Sequence, residues 1–359
     1  MILQLFVKVL APKTGSSRNP LQSSIKAYMK HHRVAQFSLF AALAAGATGL
    51  NATAGVFSDN FDTDTSSQWR ANASGAVAGS DRALFSYDYS TLGIPSAPHS
   101  VGGTTRGLIL QANRTGAVQS GISVSPTGQH FDGDYTLRFD LWQNFNGPAP
   151  TGGSGSTQVS GAGIMTAGTT PQWAGATYDS LFFGTTGDGN SSSDYRVYNK
   201  ANTAAAALGF YAAGTTTTPN VLQNSHPYYA NFGGVSAPAA QTALFPQQTG
   251  VTAAGAQAFS WHDVEIQKKG GLVTWTIDGK LIASVDSSGT TYGGDNFLLT
   301  HFDINAGIST DPNADSLLFG LYDNIRVTPV PEPASVGLAF GALALAGGAI
   351  RRRMVNSKA

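Results

Sequence analysis

The chain has 359 residues, of which 42% are hydrophobic, and its formal net charge is zero. It contains no cysteine, which excludes disulfides and thiolate zinc sites, so an exported domain of this composition must be held together by its core, with or without a metal ion. The charge is unevenly distributed, because residues 55–331 hold 11 basic and 20 acidic residues, a net charge of −9. A domain of this charge repels nucleic acid and anionic membranes, which excludes nucleic-acid binding, and it is suited to recruiting divalent cations.

Residues 1–54 are predicted to be a signal-peptide region. A basic cluster that begins at Met29 precedes a mostly apolar segment, residues 34–50, and the run Ala52-Thr53-Ala54 has the small-x-small form of a cleavage site. We therefore expect cleavage after the last of these residues. Because residues 1–28 fit poorly ahead of such a signal, Met29 is the expected translation start. The alternative is an N-terminal membrane anchor that is not cleaved.

Residues 55–328 are predicted to form one β domain. Short apolar runs alternate with Gly, Asn and Pro throughout this segment. The clearest strand is 135–142, in which Tyr135, Leu137 and Phe139 share one face and polar residues occupy the other, as in a half-buried strand. The other expected strands are 107–112, 117–124, 180–184, 195–198, 208–212, 259–267, 272–277, 280–286, 297–304 and 317–327.

The segments between these strands complete the fold prediction. Asp278-Gly279 indicates a two-residue hairpin, because type I′ turns need positive φ. Two stretches, 147–163 and 215–255, are predicted to be loops, the second of them a long excursion over the surface. No long amphipathic helix is apparent between residues 55 and 331. Many short strands predict the all-β class, as an antiparallel β-sandwich of the jelly-roll type.

The last thirty residues form a three-part tail. In the linker motif, residues 329–335, two prolines hold Glu332 in an extended segment. Residues 336–350 carry no charge, and as a helix they span roughly 22 Å against a hydrocarbon core of about 30 Å, enough for a transient transmembrane helix. Residues 351–359 are predicted to be a basic cytoplasmic tail. The alternative, a buried core helix, fits poorly with the flanking prolines and the terminal position.

This tail resembles the PEP-CTERM sorting signal of Gram-negative and related bacteria. The resemblance rests on Pro331, Glu332 and Pro333, on the apolar segment, and on the cluster Arg351, Arg352 and Arg353, which is expected to stay on the cytoplasmic side. It implies export, with an exosortase-type membrane protease and the export machinery as partners. It also implies delivery to the cell envelope, the cell surface or an extracellular polysaccharide matrix, with the chain anchored in the membrane before processing. It implies nothing about the activity of the exported domain.

The domain itself resembles the laminin-G-like and concanavalin-A-like jelly rolls. The resemblance rests on the runs 261–267 and 272–281, on the opening residues 57–62 with Trp69 shortly after, and on the closing residues 321–327. It implies a jelly roll in which the first and last strands lie side by side.

Acidic and amide side chains predict structural calcium, which takes about six to eight oxygen ligands. The first cluster assembles if the terminal strands pair; its members are Asp59, Asn60, Asp62, Asp323 and Asn324. Two further runs, 188–194 and 311–315, alternate oxygen-bearing side chains in a similar way. For each cluster the alternative is that these are ordinary turn residues. Calcium is the only cofactor that the sequence predicts.

Catalytic residues are not predicted. The jelly-roll glucanases that the domain resembles use two Glu and one Asp on one strand, whereas this chain has two Glu in total and Glu332 belongs to the tail. Glu265 is then left beside Asp263 without a second Glu, although hydrolysis normally needs two flanking carboxyl groups. We interpret Asp263 and Glu265 as a solvated strand face. No phosphate-binding loop, Gly-x-Ser-x-Gly elbow or His-x-x-x-His pair is present.

The expected function is therefore non-catalytic, as a glycan-binding or adhesive protein of the cell surface or extracellular matrix. Aromatic residues in or beside predicted loops are candidates for stacking on sugars, although core packing is the commoner reason for such residues in β proteins. These candidates are Trp142, Trp173, Tyr178, Tyr228, Tyr229 and Phe232. The alternatives are a polysaccharide-acting glycoside hydrolase of the jelly-roll type and a purely structural matrix protein.

Overall fold

A computed structural model describes residues 56–75, 77–150, 157–187, 194–200, 210–214 and 226–330. The predicted signal peptide and sorting tail lie outside these residues. The strands are β1 (Phe57–Asp59), β2 (Trp69–Ala73), β3 (Arg82–Asp88), β4 (Arg106–Gln111), β5 (Ser120–Pro126), β6 (Tyr135–Asn144), β7 (Gln158–Thr166), β8 (Leu181–Thr186), β9 (Tyr195–Asn199), β10 (Trp261–Lys269), β11 (Leu272–Ile277), β12 (Lys280–Asp286), β13 (Asn296–Asp303) and β14 (Phe319–Pro329). The α-helices in this part of the chain are short, α1 (Ala239–Leu244) and α2 (Ala314–Leu317). Neither is long and apolar enough to cross a bilayer.

The strands form two antiparallel sheets. Sheet A has the order β12-β11-β10-β6-β14-β4-β3, and β1 also pairs with β14. Sheet B has the order β2-β5-β13-β7-β8-β9. The first and last strands are neighbours, with Phe57 opposite Val327 and Asp59 opposite Ile325. The predictions of an all-β antiparallel sandwich and of adjacent terminal strands are confirmed.

The main core lies between the two sheets. Sheet A contributes Leu137, Phe139 and Ile266, and sheet B contributes Ile122 and Leu299, all of them almost fully buried. These residues recur at every second position along their strands, since alternate side chains of a strand point to the same face. Burial of this apolar face is what the alternating pattern of the sequence predicts.

Both sheets also carry apolar clusters on their outer faces. On sheet A, Trp142 packs with Tyr89 and Phe259. On sheet B, Leu298 and other residues of the outer face pack against Trp173, which lies in a loop that covers this face. As a result β6 is half-buried only over its first residues, and from residue 139 onward both of its faces are buried. The sequence interpretation of β6 as half-buried is therefore right for its beginning and wrong for its end.

The loop predicted over residues 147–163 is partly wrong, because β7 begins at Gln158. Gly161 and Gly163 lie in β7, where strands approach closely, rather than where the chain turns. A Cβ on Gly161 would lie 1.8 Å from the backbone oxygen of Phe183, and one on Gly163 would lie 2.6 Å from the oxygen of Leu181. β2 and β3 were not among the predicted strands.

The remaining local predictions have mixed outcomes. The hairpin at Asp278-Gly279 is confirmed, with φ values of 50° and 73° at the two residues. Within the predicted excursion 215–255, the described residues from 226 onward include α1 and the fully buried Tyr229. Of the predicted strand 208–212, the described part makes one isolated bridge, between Tyr211 and Ala283.

Candidate functional site

A cleft opens on the outer face of sheet A where β14 changes its partner. One edge of β14 pairs with β6, while the other pairs first with β4, over 320–322, and then with β1, over 325–327. Between these two partners the register with β6 shifts, and Asn324 adopts a φ of 52°. The change of partner leaves a gap in the sheet, and the resulting cleft has a volume of about 480 Å³.

The cleft is lined almost wholly by polar side chains. They come from β1 and the turn that follows it, from the loop before β4, and from β14. The lining residues are Ser58, Asp59, Asn60, Thr65, Gln68, His99, Asn324, Ile325 and Arg326. Ser58 and Arg326 are cross-strand partners, so they project side by side from the same face. The lining thus mixes hydroxyl, amide, imidazole and guanidinium groups with one carboxylate.

One buried carboxylate orients two of these lining residues. Asp140 is fully buried, and its Oδ1 lies 2.7 Å from Nδ1 of His99. Its Oδ2 accepts hydrogen bonds from the backbone N–H of His99 at 3.2 Å and from Nδ2 of Asn324 at 2.9 Å. A carboxylate at Nδ1 favours the tautomer with its proton there, so Nε2 of His99 is the ring nitrogen left as an acceptor. Asp140 therefore fixes both side chains on the cleft wall.

Asp140 stands in the middle of a row of three aspartates across sheet A. The register places Asp263 of β10 on one side of it and Asp323 of β14 on the other. Asp263 receives two hydrogen bonds from Nε of Arg138, at 2.7 and 3.0 Å, and a closer contact from its Nη2. This ion pair neutralises one end of the row.

At the other end of the row, the negative charge of Asp323 is removed by protonation rather than by an ion pair. Its Oδ2 accepts hydrogen bonds from the hydroxyls of Tyr89, at 3.1 Å, and Ser100, at 3.0 Å. Burial raises the pKa of Asp323 to about 7, and the neighbouring charge of Asp140 adds to the rise. Below that pH the Asp323 carboxyl is protonated, which removes its repulsion with Asp140.

His99, Asp140 and Asp263 are the one group of three potential metal ligands that the described residues bring together, with ligand atoms within 4.8 Å of one another. One nitrogen and two carboxylate oxygens suit a transition metal better than calcium, which prefers oxygen alone. Each carboxylate already has hydrogen-bonding partners, however, and a cation would have to displace Arg138 from Asp263. The group is therefore a hydrogen-bonded network that orders the cleft.

The predicted calcium residues have mostly found partners within the protein. Asp59 accepts hydrogen bonds from the backbone N–H of Phe61, from Thr65 Oγ1 and from Trp69 Nε1, at 2.9, 2.7 and 2.8 Å. In Asp62, Oδ2 accepts from Asn60 Nδ2 at 2.5 Å, whereas the buried Oδ1 has no partner among the described residues. The orphan oxygen of Asp62 is the feature that best fits a cation.

The terminal strands do pair, but Asp59, Asp62 and Asp323 do not form a group whose ligand atoms lie within 4.8 Å. Calcium at Asp59, Asp62, Asp323 and Asn324 stays a prediction. In the run 311–315, Asp315 forms ion pairs with Arg82 and Arg114. Most of the run 188–194 lies outside the described residues.

The aromatic candidates for sugar stacking are mainly core residues. Five of them are buried: Trp142, Trp173, Tyr178, Tyr229 and Phe232. Tyr228 is partly exposed, but Lys280 Nζ covers its ring at 4.4 Å from the centroid. Asp263 and Glu265 share Arg138 as their ion-pair partner. The aromatic positions agree with core packing, which the sequence analysis gave as the commoner reason for such residues. Asp263 and Glu265 lie on a strand face, as interpreted from the sequence.

His99 and Asp140 were not among the predicted site residues. His99 reads as one of several scattered histidines, and Asp140 reads as a polar residue on the exposed face of a strand. They meet across 41 positions of the chain because the loop after β3 folds over β6. The one local signal was the pair Asp323-Asn324, whose proximity to the first strand was expected.

Neither a protein-family model nor a curated protein sequence matches the chain. Solved structures show distant likenesses. A Bacillus subtilis protein of unknown function with a galectin-like fold has 10% identity and a TM-score of 0.40, over 77% of this chain and 96% of that one. A Bacillus licheniformis β-glucanase has 11% identity and a TM-score of 0.35, over 77% and 100%. A carbohydrate-binding module from Bacillus subtilis has 7% identity and a TM-score of 0.32, over 65% and 91%.

Proposed function

We propose that the chain is an exported cell-surface or matrix protein whose β-sandwich binds a glycan, without catalysis, in the cleft beside β14. The observation that supports this best is the lining of the cleft, in which Asp140 holds His99 and Asn324 in place. Groups fixed before binding lose little conformational entropy when a ligand arrives.

The chemistry of the lining suits a polyhydroxylated ligand. Sugar hydroxyls both donate and accept hydrogen bonds, and the cleft offers amides and hydroxyls that do the same. Ser58 Oγ and the amide of Gln68 make no side-chain hydrogen bond to other described residues, so they are available to a ligand. Asp59 and Arg326 give the lining one fixed charge of each sign, which favours a neutral ligand over a strongly anionic one.

The carboxylates near the cleft support a non-catalytic role. A glycosidase needs two carboxyl groups that reach both sides of the scissile bond. Asp140 and Asp323 are buried, and Asp263 is paired with Arg138. The hydrolase alternative keeps one supporting observation, since oxygens of Asp140 and Asp263 lie within 4.8 Å of each other.

The binding proposal is tested with a glycan array followed by calorimetry on the full-length protein. Replacing His99 or Gln68 by Ala is expected to weaken binding about three- to tenfold, the usual loss for one hydrogen bond. His130→Ala is the matched control, because this exposed histidine pairs with Asp295 and does not line the cleft. Equal affinity in all variants would contradict the site. Release of reducing sugar would favour the hydrolase, and an array without binding would favour a purely structural matrix protein.

Export is proposed from the two ends of the chain. The tail beginning at Pro331 is expected to direct the protein to the envelope through an exosortase-type protease, and the sandwich is expected to remain outside the cell. Mass spectrometry of the surface-exposed protein is expected to find no peptide from residues 1–54. Deleting residues 331–359 is expected to remove the protein from the cell surface. Full-length, unprocessed protein in the cytosol would refute this part of the proposal.

A further inference from the structure

Three residues at the start of β10 and the tip of the β11–β12 hairpin form a chain of hydrogen bonds. Ser260 Oγ lies 3.0 Å from Nε2 of His262, and Nδ1 of His262 lies 2.8 Å from Oδ2 of Asp278. We propose that Ser260, His262 and Asp278 are a nucleophilic catalytic site that cleaves carboxylic esters. This proposal goes beyond glycan binding and does not depend on it.

The hairpin holds Asp278 in position for this role. Asp278 adopts a φ of 50°, its backbone N–H donates to the oxygen of Asp263 at 2.8 Å, and its Oδ1 accepts from the N–H of Asp263 at 2.8 Å. With Oδ1 engaged in this way, Oδ2 faces His262. Asp278 is therefore a positioning residue, tied to β10 through both its backbone and its side chain.

Asp278 in turn sets the state of the imidazole. A carboxylate at Nδ1 favours the tautomer with its proton on that nitrogen, which leaves Nε2 as an acceptor for the Ser260 hydroxyl. His262 is 5% exposed, and its ring lies edge-on to Phe232 with centroids 5.7 Å apart. A general base must lie within hydrogen-bonding distance of the group it deprotonates, and the ring of His262 meets this requirement at 3.0 Å from Ser260 Oγ.

The residue before the nucleophile carries backbone strain. Phe259 has a φ of 64°, a conformation that is unfavourable for a bulky side chain. Two contacts hold it there: its ring packs against Phe145 with centroids 4.5 Å apart, and its N–H donates to the oxygen of Gln143 at 3.2 Å. Ser260 follows directly and is partly exposed, whereas His262 is buried. The nucleophile is thus open to a substrate while its base is shielded.

The trio lies apart from the cleft. Along β10, His262 is on the same face as the core residue Val264. Asp263 points to the outer face, where it belongs to the row of three aspartates. The pairing of β10 with β11 places Ile277 opposite Val264, so Asp278 comes opposite Asp263 and its Oδ2 reaches the neighbouring His262. The spacing of the three residues along the chain follows no serine-hydrolase motif, so the sequence contains no sign of the site.

The reaction is a conventional acyl transfer. Ser260 Oγ attacks the carbonyl carbon of the ester, and its proton passes to Nε2 of His262. The bond from the acyl carbon to the alcohol oxygen then breaks, and His262 returns the proton to the departing alcohol. A water molecule attacks the acyl-serine in the second half, with His262 again accepting and returning a proton. Ester and water become carboxylic acid and alcohol, and Ser260 is restored.

The test uses the full-length protein and a fluorophosphonate, which phosphonylates an activated serine with loss of fluoride. Peptide mass spectrometry is expected to find the label on Ser260, and hydrolysis of p-nitrophenyl acetate is expected to disappear in Ser260→Ala. His262→Gln and Asp278→Asn are expected to slow labelling on the order of 10²-fold or more, the usual contribution of a general base. Ser288→Ala is the matched control, because this serine bonds to the Asp286 carboxylate with no imidazole between them.

Two results would overturn the proposal. The first is a folded wild-type protein that remains unlabelled at Ser260. The second is labelling at the same rate in His262→Gln and in the wild type, which would mean that the imidazole does not activate the serine. Near-ultraviolet circular dichroism confirms the fold of each variant. If His262→Gln does not fold, Asp278→Asn decides between the outcomes, since loss of labelling supports the proposal and an unchanged rate refutes it.

Discussion

The buried aspartates of the sandwich differ in the groups that face them. The four hydrogen-bond donors to Asp303 among the described residues are all N–H groups, from Asn113, Thr157, Gln158 and Asn305. An N–H group only donates, so these partners suit an ionised carboxylate, although burial still raises the pKa of Asp303 to about 6. In Asp323, Oδ1 accepts from the backbone N–H of Asn324, but both described donors to Oδ2 are hydroxyls, which can also accept. The geometry at Asp323 is therefore compatible with a protonated carboxyl.

At the residue scale, the structural role of Asp59 is separable from calcium binding. Asp59→Ala leaves the buried indole N–H of Trp69 without its acceptor, and we expect a loss of about 1–3 kcal/mol in the free energy of unfolding. The measurement is denaturant unfolding with calcium and with a chelator. We expect the same loss in both conditions, and little effect from Asp64→Ala, an exposed neighbour. A loss that occurs only with calcium would instead assign Asp59 to an ion.

At the scale of elements, glycines set how closely neighbouring strands of sheet B approach. β7 pairs with β13 on one side and β8 on the other, and it contains Gly161 and Gly163. A Cβ at Gly161 would overlap the backbone oxygen of Phe183, and one at Gly184 would lie 2.8 Å from Val159 Cγ1. Atoms of β8 leave no room for a side chain at Gly161 or Gly163, and the Val159 side chain leaves none at Gly184. The glycine content of this segment therefore reflects strand packing.

Gly161→Ala is expected to destabilise the protein by about 3 kcal/mol or more, or to prevent folding, because the added methyl group requires β7 and β8 to separate. Gly289→Ala is the control, since a Cβ there has no neighbour within 4 Å and no positive φ is involved. The melting temperatures of the two variants provide the measurement. Similar values would mean that β8 shifts to accommodate the methyl group.

At the scale of the whole molecule, two buried groups give the stability opposite dependences on pH. The pKa of Asp323 is raised to about 7, so the folded protein binds more protons than the unfolded chain from about pH 4 to 7, and stability falls as pH rises through this range. Burial lowers the pKa of His301 to about 3. The unfolded chain then binds more protons between about pH 3 and 6.5, and stability falls as pH decreases.

Asp323→Asn is expected to remove the part of the pH dependence of stability that comes from Asp323. The part that comes from His301 should remain. As pH rises from 4 to 7.5, the free energy of unfolding of the variant should increase relative to that of the wild type by a total on the order of 3 kcal/mol. Above this range the difference should stay constant. Denaturant unfolding at unit steps of pH measures it. Asp132→Asn, an exposed site, is the control. Parallel curves for Asp323→Asn and the wild type would show that Asp323 has no such role.

Short-range patterns in the chain were sufficient for much of the fold. Alternation at every second residue identified β6, and the boundaries of β11 and β12 were predicted as they are found. Asp278-Gly279 identified the hairpin because the backbone conformation of a turn depends on the residues within it. Local patterns did not predict the start of β7, because its glycines indicate a loop in the sequence but are required by the close approach of the β8 backbone. The predictions for the two ends of the chain rest on equally local signals and await the experiments on export.

The cleft arises only when distant parts of the chain come together, whereas the ester-cleavage site forms between the neighbouring strands β10 and β11. His99 meets Asp140 because the loop after β3 folds over β6, and His262 meets Asp278 because the register of β10 with β11 places them side by side. The periodicity of a strand shows which face is apolar, but the choice of its neighbours follows from packing the whole core. Local sequence therefore predicts the strands and their buried faces, whereas the cleft depends on contacts between distant segments that exist only in the assembled sandwich, and the ester-cleavage site depends on the register of one strand pair.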